Sequence, residues 1–211
     1  MLLCAFAGIV PMLAVPQGPP GPPHPPPPPN AAPPAPPGPE RDPRRLQQRI
    51  ADVRKGLNQV DNADSMQREI ASFGMNYLER SELELKHGQL FAADRFLGAA
   101  DAFRHVLDHL NHILGRAKGP PPPPPQAISD HLRQVYFRLR LSDFFLQQIP
   151  NPKPERLSAL ASHFYQLALQ AYQARNWVAA DEYTKSADDI THALENIAQA
   201  AIPEPSGQRW R

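Results

Sequence analysis

Five side chains between residues 94 and 112 are of types that bind metal ions or move protons. Asp94, Asp101, His105, Asp108 and His112 stand seven, four, three and four residues apart. On a helix turning about 100° per residue, those intervals gather them within about 60° of one face. Carboxylate, imidazole and carboxylate at i, i+4 and i+7 line up oxygen and nitrogen donors suited to a divalent transition metal. The row recurs at the same intervals in Asp181, Asp188, His192 and Glu195. The candidate ligands are therefore Asp101, His105, Asp108 and His112 with Asp188, His192 and Glu195. His109 extends the cluster but points to one side of it. Three donors on one exposed helix hold an ion poorly against water, so metal binding requires the two rows to act together. The first row stands nearly opposite an apolar stripe, Phe96, Ala100, Phe103, Leu107, Leu110 and Leu114. Alternating acids and histidines in such a place read first as a solvated helix face.

Other catalytic patterns fail on spacing. His105-Val-Leu-Asp-His109 sets two histidines one turn apart, but Val106 stands where a zinc protease of that pattern needs its glutamate base. Glu84-Leu-Lys-His87 matches half of a di-iron bundle motif, which needs a second copy. The positions 87 residues on are Ala171 and Ala174. No nucleophile elbow or phosphate-cradling glycine loop occurs. The only cysteine is Cys4, so a chain that loses its opening segment loses disulfides, thiolate catalysis and cysteine-based zinc sites with it. The expectation is a protein without enzymatic activity and without an organic cofactor.

The elements that would position these residues read as helices. Past Pro43 the chain is rich in alanine, leucine, glutamine, glutamate and arginine, all good helix formers. Sustained period-2 alternation and Asn-Gly or Asp-Gly hairpin turns are missing. The apolar three-and-four spacing predicts helices near 43–60, 64–87, 89–116, 127–148, 154–174 and 176–201. Asp61-Asn-Ala-Asp-Ser65 offers turn and capping residues, Gly88 can close a helix, and Pro150-Asn-Pro-Lys-Pro154 stops one. Of 28 prolines, 15 lie between Pro16 and Pro39, and six more run from Pro120 to Pro125. Proline fixes φ and lacks a backbone donor, so these stretches read as extended linkers. The predicted organisation is an apolar segment 1–15, a proline-rich linker 16–42, a three-helix unit 43–118, a polyproline linker 119–126, a second three-helix unit 127–201 and a tail 202–211.

The two units look like copies. Displaced by 87 residues, 77–110 falls on 164–197 without a gap. Ala92-Ala93-Asp94 meets Ala179-Ala180-Asp181, Phe96 meets Tyr183, Ala100-Asp101 meets Ala187-Asp188, and His105 meets His192. The second copy also resembles a tetratricopeptide helical hairpin. Phe164, Leu167, Ala168, Ala180 and Ala187 fall on that family's spaced signature, with a turn at Arg175-Asn176. Small residues at such positions let antiparallel helices approach closely. Ala171 and Arg175 depart from the pattern, and the period of 87 far exceeds the family's repeat of roughly 34. The resemblance implies a hairpin of that kind, and the expected partner is a protein or peptide. The fold expectation is all-α: two duplicated three-helix units, as a helical bundle or a tetratricopeptide-like stack, after a disordered proline-rich segment.

A net charge of +1 gives no global pull toward nucleic acid or acidic membranes, and no nucleic-acid partner is expected. The apolar opening Met1–Val15 is too short to span a bilayer but has the length of a signal-peptide core, although no basic residue precedes it. It predicts export, periplasmic or secreted. Phe137, Phe144, Phe145, Phe164, Tyr165, Tyr172, Trp177 and Tyr183 crowd the second unit, mostly as expected core. Trp177 opens its helix at a turn, where it could anchor a partner. The functional expectation is an exported helical binding or scaffold protein of the cell envelope, its proline tract acting as a spacer. The alternative is a divalent-metal protein using the duplicated Asp/His strip.

Overall fold

The computed structural model describes residues 42–60, 64–148 and 155–201, without the side chains of residue 143 and residues 145–148. The apolar opening with Cys4, the proline-rich stretch through residue 41, the Pro150–Pro154 stop, the Phe145 side chain and the tail 202–211 lie outside the described residues. Every regular element among the described residues is an α-helix. They are α1 (Pro43–Leu57), α2 (Ser65–Lys86), α3 (Leu90–Ile113), α4 (Pro125–Gln148), α5 (Glu155–Gln173) and α6 (Trp177–Ala201). No described helix is long and apolar enough to cross a membrane.

Local chemistry sets the ends. Asp42 caps α1 by accepting from the Arg44 N–H at 2.9 Å, and Pro43 follows at the first helical position, where its missing N–H leaves nothing unpaired. Asp64 caps α2, accepting from the N–H groups of Met66 and Gln67. The polyproline run ends inside the first turn of α4, since Pro125 is its first residue. That start lies two residues before the expected one.

The turns closing α2 and α5 share one hydrogen-bond pattern. The Gly88 N–H donates to the Leu85 carbonyl and the Gln89 N–H to that of Glu84. At the same 87-residue offset, Arg175 donates to Tyr172 and Asn176 to Ala171. This is a Schellman closure, which needs a residue in the left-handed region. Gly88 supplies it with φ 73°, and Arg175 adopts it with φ 59°.

Neighbour relations in the two halves correspond. α2 packs on α3 with α1 against both; α5 packs on α6 with α4 against both; α3 crosses α6 and joins the halves. α3 and α6 are consequently buried nearly all round, including Ala93, Ala100, Ala180 and Ala187. Phe103 stacks on Tyr77 and Phe73 in the first half, and Phe164 meets Tyr183 in the second. Within the expected α3 stripe, Phe96, Ala100, Phe103, Leu107 and Leu110 are buried. Leu114 is half-exposed, because the helix ends at Ile113 and Gly115 turns the chain away.

The first helices do not keep the 87-residue offset. Leu46, Ile50, Val53 and Leu57 line the buried face of α1, and Ile128, Leu132, Val135 and Leu139 line that of α4, an offset of 82. α4 has 24 residues against 15 in α1, so it outruns the face that its half can cover.

Candidate functional site

The structure distributes the Asp/His strip among several neighbours. Asp94 takes Arg49 of α1 at 2.9 Å. Arg104 lies across Gly56, bonding Asp101 at 2.8 Å and Asp108 at 2.9 Å. His105 stands 4.0 Å from Asp101. In the second half Asp181 pairs with Lys185 at 2.6 Å. Asp188 accepts from Arg138 at 2.6 Å, with His131 at 3.5 Å on its other oxygen. Burial alone would raise the Asp188 carboxyl, but those bonds outweigh it and hold it below the ordinary aspartate value. His192 Nδ1 lies 3.3 Å from Glu195, and Arg138 reaches its Nε2 at 2.7 Å. Glu195 and Asp188 draw this ring toward imidazolium, and the Arg138 contact opposes them. Arginines thus occupy several of the carboxylates that a metal would use. His105, Asp108, His112 and Asp188 share one cleft, Asp101 lines another against α1, and His192 and Glu195 belong to neither.

A second polar cluster sits in the α3–α6 crossing itself. His109 Nδ1 lies 2.5 Å from Glu182 Oε2, and its Nε2 lies 3.1 Å from Asp189 Oδ2. Both nitrogens face carboxylates, and both can donate only as imidazolium. Burial would lower the His109 pKa, but the bonds to Asp189 and Glu182 outweigh it and raise it. Glu182, only 5% exposed, is pushed up by burial and drawn further down by His109 and Lys185, so it falls below the ordinary glutamate value. His112 Nδ1 stands 3.5 Å from the same Glu182 oxygen. It is buried without a hydrogen-bond partner.

His109 is turned into the crossing, whereas the helical projection sets it to one side of the strip. Its partners Glu182 and Asp189 were not among the sequence candidates. Each directly follows a strip acid, in Asp181-Glu182 and Asp188-Asp189, and these seven-spaced doublets are the signal that marks them. The residues 87 positions earlier in the first half are Arg95 and Ala102, so the cluster forms where the two halves differ in sequence. The crossing is self-complementary in position. Arg95 bonds Asn196 at 3.4 Å, and the offset carries this pair onto Glu182 and His109.

The aromatic residues divide. Phe164 is fully buried; Trp177 is half-buried, edge-on to Tyr172 at 5.3 Å beside Ile128, Leu132, Ala168 and Ala180. Phe137 and Phe144, expected in the core, are 65% and 58% exposed, and Leu141 is 56% exposed. These three fall within about 60° on the side of α4 opposite its buried stripe. Tyr136 flanks them, between Phe137 and Tyr165.

No family model matches the chain, and neither a curated protein nor a solved structure matches it.

Proposed function

We propose that this chain is a non-catalytic helical binding or scaffold protein that docks a protein or peptide partner on the outer face of α4. The carrying observation is the exposed row Phe137, Leu141 and Phe144. A contiguous apolar face on a surface helix, with its opposite face already committed to the core, is the usual form of a helix-in-groove or helix-on-helix contact. The shared turn pattern and the matching neighbours in the two halves support a duplicated architecture of tetratricopeptide-like hairpins. Placement in the cell envelope rests on the apolar opening Met1–Val15 and on the proline tract as a spacer.

The experiment is site-specific photocrosslinking in the native host. A photoreactive phenylalanine analogue at Phe137 should give a discrete adduct, and the same group at Gln199, exposed on α6, should not. Adding Leu141→Ser should weaken the adduct while the thermal midpoint holds. An empty lane at Phe137, or the same pattern from both positions, removes the docking reading.

A further inference from the structure

We propose that His109, His112 and Glu182 form a binding site for one divalent transition-metal ion of the zinc class, with Asp189 orienting His109 from behind. The proposal is independent of the docking face on α4.

Each of the three residues offers a donor atom, and these atoms all lie within 4.8 Å of one another. Two donors come from α3, at i and i+3, and the third comes across the crossing from α6, so the helix packing itself sets their separation. A tetrahedral zinc with bonds of about 2.0–2.1 Å needs donors about 3.3 Å apart. Glu182 Oε2 and His112 Nδ1 stand at 3.5 Å. The His109–Glu182 separation of 2.5 Å must widen, as it does when an ion replaces the proton between the two groups, and the two histidine donors stand within 4.8 Å of each other. That proton leaves His109 Nδ1 for solvent.

Three further observations point the same way. Nearly all buried polar atoms are hydrogen-bonded, yet His112 Nδ1 is buried without a partner, aimed toward Glu182. The connector after α3 passes over this ring as Gly119, where a Cβ would sit 3.1 Å from that nitrogen. Asp189 holds His109 Nε2 at 3.1 Å, the carboxylate–histidine relation that fixes the tautomer of a ligating imidazole. Lys185 is the nearby cation. It bonds the other Glu182 oxygen at 3.3 Å and is matched by Asp181 at 2.6 Å, which leaves Oε2 facing the histidines. The site opens on a cleft of about 330 Å³ bordered by His105, Asp108, His131, Lys185 and Asp188. Two imidazoles and one carboxylate leave a fourth position, and a cleft water can fill it.

The test is titration of the chelator-stripped full chain with Co²⁺, read by its visible d–d bands and by displacement with Zn²⁺. One equivalent should bind. His112→Ala and Glu182→Gln should remove the bands, and Asp189→Asn should weaken binding by about 10- to 100-fold. Exposed His87→Ala and His163→Ala should change nothing. If the alanine at 112 does not fold, His112→Gln serves, since it keeps length and polarity but lacks the imidazole. Zn²⁺ should raise the thermal midpoint of the wild type and not of the His112 variant. A chain without d–d bands, or bands that survive both His112→Ala and Glu182→Gln, overturns the proposal. Bands lost in His105→Ala/His192→Ala but kept in His112→Ala place the ion on the outer strip and also overturn it.

Discussion

Arg138 crosses from α4 to bond Asp188 of α6 at 2.6 Å, and its effect on stability has a definite pH signature. A carboxyl whose folded pKa is depressed contributes stability that is fully present above its unfolded value, here the ordinary 3.8. That stability is lost as the pH falls through the still lower folded value. Arg138→Gln should therefore destabilise at pH 7 by about 1–3 kcal/mol, as expected for a half-buried pair losing one partner. The gap to wild type should narrow as the pH drops below the ordinary aspartate value, and thermal melts at pH 7 and pH 3 measure it. A gap unchanged between those values would assign the loss to the packing of the arginine stem. At this scale the sequence shows residue types but not neighbours. Asp101, His105 and Asp108 are visible as a row, yet nothing along the chain places Arg104 across Gly56. Nor does a helical projection reveal that α3 turns His109 toward Glu182, because that depends on how two distant helices cross.

The Schellman turns give the element-scale expectation. Gly88 adopts the left-handed conformation without a Cβ penalty; Arg175 does so with a full side chain. The left-handed region costs an L-residue about 1–2 kcal/mol, and glycine recovers most of that after its own entropy cost. Arg175→Gly should stabilise by about 0.5–1 kcal/mol, and Gly88→Ala should destabilise by about 1 kcal/mol. Denaturant midpoints for the two variants check both signs. The helices themselves are legible, since apolar period, capping aspartates and Gly88 fix six elements to within a few residues. The face of α4 is not. Its apolar residues run around the whole helix, and a one-dimensional pattern does not say which side is used. Only the packing of Ile128, Leu132, Val135 and Leu139 leaves Phe137, Leu141 and Phe144 outside.

Across the whole molecule, α3 against α6 is what makes two three-helix units one body, and the polar pairs at the ends of that crossing differ. One end carries Arg95 with Asn196, the other Glu182 with His109. Consider the units as separate chains free to choose partners. Two copies of the first would set Arg95 against His109 at both ends, cation facing a ring that can charge. Two copies of the second would set Glu182 against Asn196, leaving the carboxylate with Lys185 of its own helix but without the His109 imidazolium. Only the mixed pair joins Glu182 to His109, so the crossing discriminates between self and sister, and does so by charge placement at matched positions. Fragments 42–118 and 119–201, mixed in equal amounts, should form a one-to-one complex in native mass spectrometry in preference to either homodimer. Glu182→Arg, which gives the second fragment the charge of the first, should erase that preference. When whole molecules refold together at high concentration, the same asymmetry disfavours first-on-first and second-on-second pairing, whereas a first half meets the second half of its own chain or of another through the same contacts.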